Sequence, residues 1–380
     1  MGHSIEVRRG LTQALDPDIA AGEIHAAVGG GDGELVLFFC SPRYDLVALA
    51  RALRERFGDQ HLVGCTTAGE IGPGGYHEAS ISAVALGGDG FAASSTRIDD
   101  LETFTFARGE TAVHDARSRL TQASGGAEPS FALLLSDGLS MREESLVSAI
   151  HGALGVVPLV GGSAADATEF RATYVFHDGE FRKNCALLVL VRTTAPFEVF
   201  KTEHFEMSEE KLVVTGADPA RRLVTEINGE PAGREFARVV GLDVKELTPL
   251  VFAAHPVIVR VGGVPFVRSI QKVNDDESLT FFCAVDEGIV LTVAKGVDMA
   301  ENLRRSFAGV RQRLGAPVLT LGFDCILRRI ETLQRSEASV ISSILDENAV
   351  TGFATYGEQF NGMHVNQTFT AVAIGRRDLA

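Results

Sequence analysis

Continuous apolar runs alternate with helical spacing along the first half of the chain. The runs ELVLFFC (34–40) and FALLLSDG (131–138) are typical of strands whose two faces are both buried. Apolar residues between positions 46 and 57 recur at the spacing of one helix face. Short strands followed by glycine-rich turns are indicated at HLVGC (61–65) and VPLVGGSAAD (157–166). The pattern predicts mixed βαβ elements.

Turn residues between apolar runs predict places where the chain reverses. TYVFHDGEFRKNCALLVLV (173–191) is predicted as a hairpin with Asp178–Gly179 at its tip, since Asp-Gly suits a tight hairpin turn. SISAVAL (80–86) and FAASSTRI (91–98) are predicted to pair around a glycine-rich segment. A further hairpin is predicted over ESLTFFCAVDEGIVLTVA (277–294), with an Asp-Glu-Gly turn.

The pattern changes near residue 200, where strands with tight turns precede further amphipathic helices. No proline- or serine-rich linker separates the two halves, so the domains are expected to abut. We predict an α+β fold of two domains whose β-sheets are covered by helices. The expected division is an N-terminal extension (1–30), a first domain (31–215) with the βαβ and hairpin elements, and a second domain (216–380).

Composition excludes several classes of protein. Hydrophobic residues make up 45% of the chain and the formal net charge is −15, so neither a nucleic-acid partner nor an anionic membrane surface is expected. Five widely spaced cysteines without a CxxC pair do not form a disulfide framework, and a reducing compartment fits them best. No apolar run reaches the length of a membrane-spanning helix, and the N-terminus lacks a secretory signal. A cytoplasmic protein is therefore expected.

Catalytic signatures are missing from the sequence. It contains no GxSxG elbow, no HExxH and no GxxxxGK[ST] loop, so we expect a protein that is not an enzyme. Cys65 in GCTTAGE (64–70) stands on a glycine turn where a nucleophile could lie, but no base for it is evident. A small packed residue at the end of a strand explains Cys65 more simply. A cysteine-dependent enzyme remains a distant alternative.

Glycine turns after strands offer a second kind of site. Backbone N–H groups of GGSAAD (161–166) could hold an anion, although a tight turn explains the same residues equally well. For a small organic ligand, the candidate residues are Cys65, Thr66, Gly69, Glu70, Gly161, Gly162 and Ser163.

The histidines give no zinc signature. None of the ten is spaced as HxH or HxxxH. His255 stands between apolar residues. His364 begins a predicted last strand, whose alternation places it on one face with Asn366, Thr368 and Thr370. That polar face is either solvated or lines a pocket.

Eight segments together resemble the FIST family of intracellular sensory proteins, which pair an N-terminal with a C-terminal FIST domain. The segments are VGCTTAGEI (63–71), LLLSDGLS (133–140), PLVGGSAAD (158–166), FHDGE (176–180), VTEINGEPA (224–232), LTFFCAVDEGIVLT (279–292), LGFDCILRR (321–329) and TGFATYGEQFNGMHVNQTFTAVAIG (351–375). The resemblance implies a ligand sensor coupled to histidine kinases, chemoreceptors or cyclic-di-GMP enzymes. Stand-alone members include haem-containing nitric-oxide sensors that bind a partner kinase.

The resemblance makes a haem-based nitric-oxide sensor the leading hypothesis, with a FIST sensor of a small organic ligand, such as an amino acid, as the alternative. Its output would be in trans, on a histidine kinase or a cyclic-di-GMP enzyme, and a homodimer is left open. The candidate haem residues are His364 as first choice for the iron ligand, His255 and His204 after it, Tyr356 and Glu358 at the polar edge, and Arg328 or Arg329 for the propionates.

Overall fold

One pattern of strands and helices occurs three times within residues 5–29, 31, 35–261 and 263–376, the part of the chain that the computed structural model describes. The pattern runs strand, helix, strand, helix, strand, two-stranded hairpin, strand. The first copy comprises β1 (Ile5–Thr12), α1 (Pro17–Val28), β2 (Leu35–Cys40), α2 (Leu46–Phe57), β3 (His61–Thr66), the hairpin β4 (Glu70–Gly72) and β5 (Gly75–His77), and β6 (Ile81–Gly88).

The second copy follows directly. It comprises β7 (Ala92–Ile98), α3 (Phe106–Ala123), β8 (Phe131–Ser136), α4 (Glu143–Leu154), β9 (Leu159–Ser163), the hairpin β10 (Val175–His177) and β11 (Glu180–Arg182), and β12 (Ala186–Arg192). Pro158 and the strand after it continue the run VPLVGGS, so the predicted strand and turn are both present.

The third copy is interrupted after its first strand, β13 (Phe197–Thr202). The insertion comprises β14 (Phe205–Asp218), β15 (Leu223–Ile227), β16 (Glu230–Pro231), α5 (Ala232–Val240), α6 (Pro249–Ala254), β17 (Val257–Val261), β18 (Val264–Arg268), β19 (Ile270–Val273), β20 (Leu279–Phe281) and β21 (Val290–Gly296). The copy then resumes with α7 (Met299–Leu314), β22 (Leu319–Cys325), α8 (Ile326–Gln334), α9 (Ala338–Glu347), β23 (Val350–Thr355), β24 (Glu358–Phe360), β25 (Met363–Val365) and β26 (Phe369–Ile374).

Each sheet of the repeat combines four strands of one copy with the hairpin of another. Across the described residues the orders are β1-β6-β2-β3-β10-β11, β7-β12-β8-β9-β24-β25 and β13-β26-β22-β23-β4-β5. The strands joined through a helix, such as β2 and β3, are parallel, whereas the last strand of each copy inserts antiparallel beside them. The copies are therefore interlocked.

The sheets turn one face toward a shared core and the other toward their own helices. In β2, Leu35, Leu37 and Phe39 lie in the central core, which receives side chains from all three sheets. Val36 and Phe38 on the opposite face pack against α1 and α2. Helices α3 and α4 cover the second sheet, and α7 and α9 cover the third. Burial on both faces explains the continuous apolar runs of the sequence and confirms those strand predictions.

The insertion forms a separate sheet with the order β18-β17-β21-β14-β15-β20-β19, and β16 pairs with β15. Helices α5 and α6 pack on it around a core that includes Phe236 and Phe252. The predicted α+β class with helix-covered sheets is confirmed. The predicted limits do not coincide with element limits, because position 215 falls inside β14, and β1 and α1 lie before position 30.

Two predicted strand pairs are wrong. Strand β6 lies between β1 and β2, whereas β7 belongs to another sheet and pairs with β12. Similarly, β20 pairs with β15 and β19, while β21 pairs with β14 and β17. Each of the four strands pairs with strands from other parts of the chain and not with its neighbour across the glycine turn. The hairpin with Asp178–Gly179 at its tip, β10–β11, is confirmed.

A buried carboxylate ties the turn after β23 to the start of β26. Glu358 is fully buried and accepts hydrogen bonds from the hydroxyl of Thr355, from Thr368 Oγ1 at 2.7 Å and from Thr368 N at 3.2 Å. Burial raises the pKa of Glu358 to about 8, and the hydroxyl donors of Thr355 and Thr368 offset part of that rise.

The same device occurs in the first copy. Glu70 accepts hydrogen bonds from the hydroxyl groups of Thr67 and Ser80 and, at 3.2 Å, from Ser80 N. In the second copy the carboxylate comes from another position: Asp137, after β8, accepts from Asn184 N at 2.5 Å. Each copy thus closes its hairpin with a buried acid, which supports the equivalence of the three copies.

We expect Glu358→Gln to remove a pH dependence of folding. The unfolded carboxyl ionises near its ordinary value of 4.5, whereas the folded one stays protonated to about pH 8. The free energy of unfolding therefore falls as pH rises through this window, by at most about 1.4 kcal/mol per pH unit. Chemical denaturation at pH 5 and pH 9 should show a smaller decrease for the variant than for the wild type. The exposed Glu209→Gln is the control, and an unchanged slope in Glu358→Gln would contradict this account.

Candidate functional site

A cavity of about 210 Å³ lies where the turn after β3 meets α8 and the loop that follows β9. Its walls therefore come from all three copies of the repeat. The lining residues are Ser41, Pro42, Arg43, Thr67, Ala68, Gly69, Glu70, Glu78, Ala79, Ala167, Thr168, Ile326, Arg329, Ile330 and Leu333.

Arg329 on α8 is the buried cation of this cavity. Its Nη2 donates to the carbonyl of His77 at 2.9 Å and to Glu78 Oε1 at 3.2 Å, and its guanidinium lies 5.2 Å from the ring centre of Tyr76. Its Nη1 is buried and has no hydrogen-bond partner among the described residues. A buried guanidinium donor without an acceptor is costly, so this nitrogen is the strongest indication of a ligand group in the cavity.

Gly69 is required by the position of that guanidinium. Its backbone has a φ of +130°, and a Cβ at this position would lie 1.6 Å from Arg329 Nη1. Beside it, burial raises the pKa of Glu70, and hydrogen bonds from Ser80 and Thr67 together with the charge of Arg329 oppose that rise. The cavity therefore holds both a cation and a buried acid.

Backbone hydrogen bonds between copies hold the turn in place. Ala68 N donates to Ala354 O at 2.9 Å, and Ala354 N donates back to Gly69 O at 2.7 Å. Ala167 N donates to Thr67 O at 3.2 Å. Since these bonds tie the first copy to the third and second, the cavity wall is formed by the fold before any ligand binds.

Of the first-copy residues predicted to bind a small ligand, some line the cavity and others lie in the core. Gly69 and Glu70 line the cavity. Cys65 instead points into the central core, and burial raises the pKa of its thiol well above the usual range. Thr66 accepts a hydrogen bond from Tyr174 N at 3.0 Å. A thiolate nucleophile at Cys65 is therefore not supported.

The candidates of the second copy do not form the anion cradle considered from the sequence. Gly161, Gly162 and Ser163 lie within β9, between β8 and β24, where strand pairing uses their backbone groups. A Cβ on Gly161 would lie 1.9 Å from Leu134 O, and one on Gly162 would lie 2.5 Å from Thr355 Cγ2. Close strand packing, rather than ligand contact, explains these glycines.

His364, the first-ranked iron ligand, is buried with both ring nitrogens unpartnered within the described ranges. Burial is the main cause that lowers its pKa to about 4. The charge of Glu144 opposes this change, whereas the charges of Arg222 and Arg268 add to it. The ring is therefore neutral at pH 7, as an iron ligand would need to be. Its polar neighbour Asn366 is also buried without a side-chain partner, so the predicted polar face is not solvated.

Space at His364 does not suit a haem. A Cβ on Gly357 would lie 2.2 Å from His364 Cε1 and 2.6 Å from His364 Nε2, so the backbone of Gly357 already occupies the approach to that nitrogen. Three cavities in the described part of the chain, of about 940, 820 and 210 Å³, are lined by other residues. The residues present at His364 therefore have the right ligand chemistry but not the slot that a porphyrin requires.

His204 and Arg328 belong to one buried ion-pair network. His204 Nε2 lies 2.9 Å from Glu331 Oε2, and its Nδ1 lies 2.8 Å from Arg328 Nη1. Arg328 Nε donates to Asp324 Oδ1 at 2.6 Å, with both side chains 1% exposed. Both ring nitrogens of His204 are therefore engaged, and Arg328 is used structurally instead of facing a ligand.

The other predicted haem residues do not converge with His364. His255 caps α6, with its Nδ1 3.2 Å from Val251 O. The hydroxyl of Tyr356 donates to Asp166 and to Ala167 O, and Glu358 is saturated by its hydroxyl donors. Arg329, considered only as a propionate partner, lines the cavity of about 210 Å³.

We expect His364→Leu to leave folding intact and to remove a pH dependence of opposite sign to that of Glu358. The unfolded histidine takes up a proton near pH 6.5, whereas the folded one does so only near pH 4, so the wild type loses stability as pH falls through this window. At pH 7.5 the variant should be as stable as the wild type or more stable by about 1 kcal/mol, because an unsatisfied polar group is removed. Denaturation at pH 5 and 7.5 measures both effects, with the exposed His114→Leu as the control. A clear loss of stability at pH 7.5 would show that the ring nitrogens have partners.

Two family models match the chain. The FIST N domain matches residues 34–230 and the FIST C domain matches residues 232–361. A curated relative, an uncharacterized protein of Methanocaldococcus jannaschii, is 22% identical over 251 residues, which cover 57% of this chain and 48% of the relative. The chain thus spans about half the length of that relative.

Among solved structures, the cyanuric acid hydrolase of A. caulinodans matches over 100% of both chains, with 12% identity and a TM-score of 0.40. This comparison corrects the expectation that the chain is not an enzyme, because a protein matched over its full length is a hydrolase. At this TM-score the likeness assigns neither a fold nor a reaction to the chain.

Among the described residues, no helix combines the length and the apolar character that crossing a bilayer requires. The FIST domains indicate a sensory module of signal transduction. Because the first family model alone matches more than half of the sequence and the second matches the region after it, the chain belongs to the FIST family.

Proposed function

We propose that this FIST protein senses a small organic ligand that carries a carboxylate, such as an amino acid, in the Arg329 cavity. The observation that carries the proposal is Arg329, a buried cation that lines the cavity and whose Nη1, beside Gly69, has no acceptor among the described residues. A carboxylate oxygen would supply that acceptor in a charge-assisted hydrogen bond.

The size and charge of the cavity support a small zwitterion. About 210 Å³ is less than the usual volume of a pocket for a drug-sized molecule. Arg43 and Arg329 line it together with Glu70 and Glu78, so both a carboxylate and an ammonium group find opposite charges. The apolar side chain of Ile330 offers a surface for the rest of the ligand.

The position of the cavity suits a sensor. A ligand there would contact the turn after β3, the loop after β9 and α8, which belong to the three different copies. A ligand shifts a conformational equilibrium only through unequal affinity for two states. A change in the spacing of these three elements is the difference that we propose, and a histidine kinase or a cyclic-di-GMP enzyme is the proposed recipient in trans.

We expect Arg329→Gln to weaken ligand binding at least tenfold while the free protein stays folded. The probes are acetate, glycine and the other protein amino acids, screened by thermal shift and then measured by calorimetry. Arg335→Gln is the matched control, since Arg335 follows on the same helical segment, pairs with Glu331 and does not line the cavity. Equal affinity in wild type and Arg329→Gln, or no shift with any probe, would overturn the proposal.

A haem-based nitric-oxide sensor is the second candidate, and the unpartnered ring nitrogens of His364 favour it. Because the backbone of Gly357 occupies the approach to the ring, we expect no stoichiometric Soret band in protein expressed with a haem precursor. The spectrum should also be recorded after reduction and after addition of nitric oxide. A stoichiometric band that is lost in His364→Ala would contradict this expectation and restore the haem hypothesis.

A further inference from the structure

A serine hydroxyl lies between two histidine rings in a cavity of about 940 Å³, away from the Arg329 cavity. Ser95 is on β7, the edge strand of the second sheet, whereas His61 begins β3 and His177 ends β10 in the first sheet. All three residues line the cavity, so the arrangement is open to a small molecule.

The distances match a nucleophile, a base and an orienting carboxylate. Ser95 Oγ lies 2.9 Å from His177 Nε2, and His177 Nδ1 lies 2.9 Å from Asp178 Oδ2. His177 Nδ1 has no hydrogen-bond partner among the described residues, so Asp178, at the exposed tip of the hairpin, acts on the ring by its charge at this distance. On its other side, Ser95 Oγ lies 2.7 Å from His61 Nε2.

Both imidazoles are neutral near pH 7. Burial lowers the pKa of His177, and the charge of Asp178 opposes this change. The pKa of His61 is lowered to about 4, mainly by burial and to a smaller extent by the nearby His177. A neutral His177 with its proton on Nδ1, facing Asp178, has a free electron pair on Nε2 for the proton of Ser95. His61 can then donate its Nε2 proton to Ser95 Oγ and stabilise the oxygen as it gains charge.

We propose that Ser95 and His177 form a catalytic pair, positioned by Asp178, that hydrolyses small carboxylic esters. The proposal goes beyond ligand sensing and does not depend on the Arg329 cavity. The same roles recur on unrelated folds and are recognised by geometry instead of by position in the sequence.

The reaction balances with water as the second substrate. Ser95 Oγ attacks the ester carbonyl carbon as His177 Nε2 takes the hydroxyl proton, and the carbon–oxygen bond to the alcohol breaks when His177 returns that proton to the leaving oxygen. Water then attacks the acyl group on Ser95 and gives a proton to His177. Release of the carboxylic acid returns the proton to Ser95 Oγ.

The cation beside the serine favours a short ester that carries a negative charge. Arg119 donates from Nη2 to the carbonyl of Ser95 at 3.0 Å, which fixes a cation beside the hydroxyl. Phe57, Leu62 and Ala93 supply apolar surface in the same cavity. An acyl group that ends in a carboxylate would place its apolar part on this surface and its charge near Arg119.

The probes for this activity are a fluorophosphonate, 4-nitrophenyl acetate and mono-4-nitrophenyl succinate. The full chain should form one covalent adduct, mapped to Ser95 by peptide mass spectrometry, and should hydrolyse the succinate ester faster than the acetate. Ser95→Ala should abolish the adduct, and His177→Gln should slow hydrolysis at least a hundredfold.

Two further variants separate catalysis from structure. Asp178→Asn should lower the rate and shift its pH profile while leaving the adduct on Ser95 detectable, as expected for a positioning residue. Ser94→Ala is the matched control, because Ser94 lies on the same strand and its hydroxyl donates to Ala116 O instead. No adduct on Ser95, or equal rates in wild type and Ser95→Ala, would overturn the proposal, and circular dichroism would verify that each variant is folded.

Discussion

The exchange of hairpins between copies is the interaction on which the rest of this structure depends. Strand β4 pairs with β23, β10 pairs with β3, and β24 pairs with β9, so every six-stranded sheet is completed by a distant segment. One copy alone would leave an open sheet edge and an incomplete core. The turn that lines the Arg329 cavity leads directly into β4, and its shape therefore depends on the third copy.

Buried charge fixes the insertion onto this core. Arg222, directly before β15 of the insertion, lies 2.5 Å from Glu143 and 2.9 Å from Glu144 at the start of α4, and donates to Phe282 O at 2.7 Å. Burial raises the pKa of Glu143 to about 7, and the charge of Arg222 opposes that rise. Breaking a buried ion pair leaves an uncompensated charge, so this contact specifies one docking position.

The strands and helices could be predicted from the sequence more readily than their partners. Apolar runs such as 34–40 indicate burial on both faces, but periodicity does not say which sheet receives a strand. The threefold repeat is only weakly visible in the sequence. GCTTAGE (64–70) in the first copy resembles GFATYGE (352–358) in the third, but the second copy lacks this motif because its buried acid, Asp137, comes from another position. Gly69 and Glu70 could be predicted as ligand-site residues because they stand in a glycine turn after a strand. Ser95 and its two histidines are too far apart along the chain for a sequence motif to connect them.

The ends of the insertion lie side by side, since Phe205 at its start pairs with Gly296 at its end. The chain therefore leaves the third copy and returns to it at one point, between β13 and α7. In evolutionary and engineering terms this is an insertion site with adjacent ends. A different module could be spliced in, or a short turn could replace it, without changing the connectivity of the scaffold. The insertion can thus vary while the three interlocked copies keep their strand pairing.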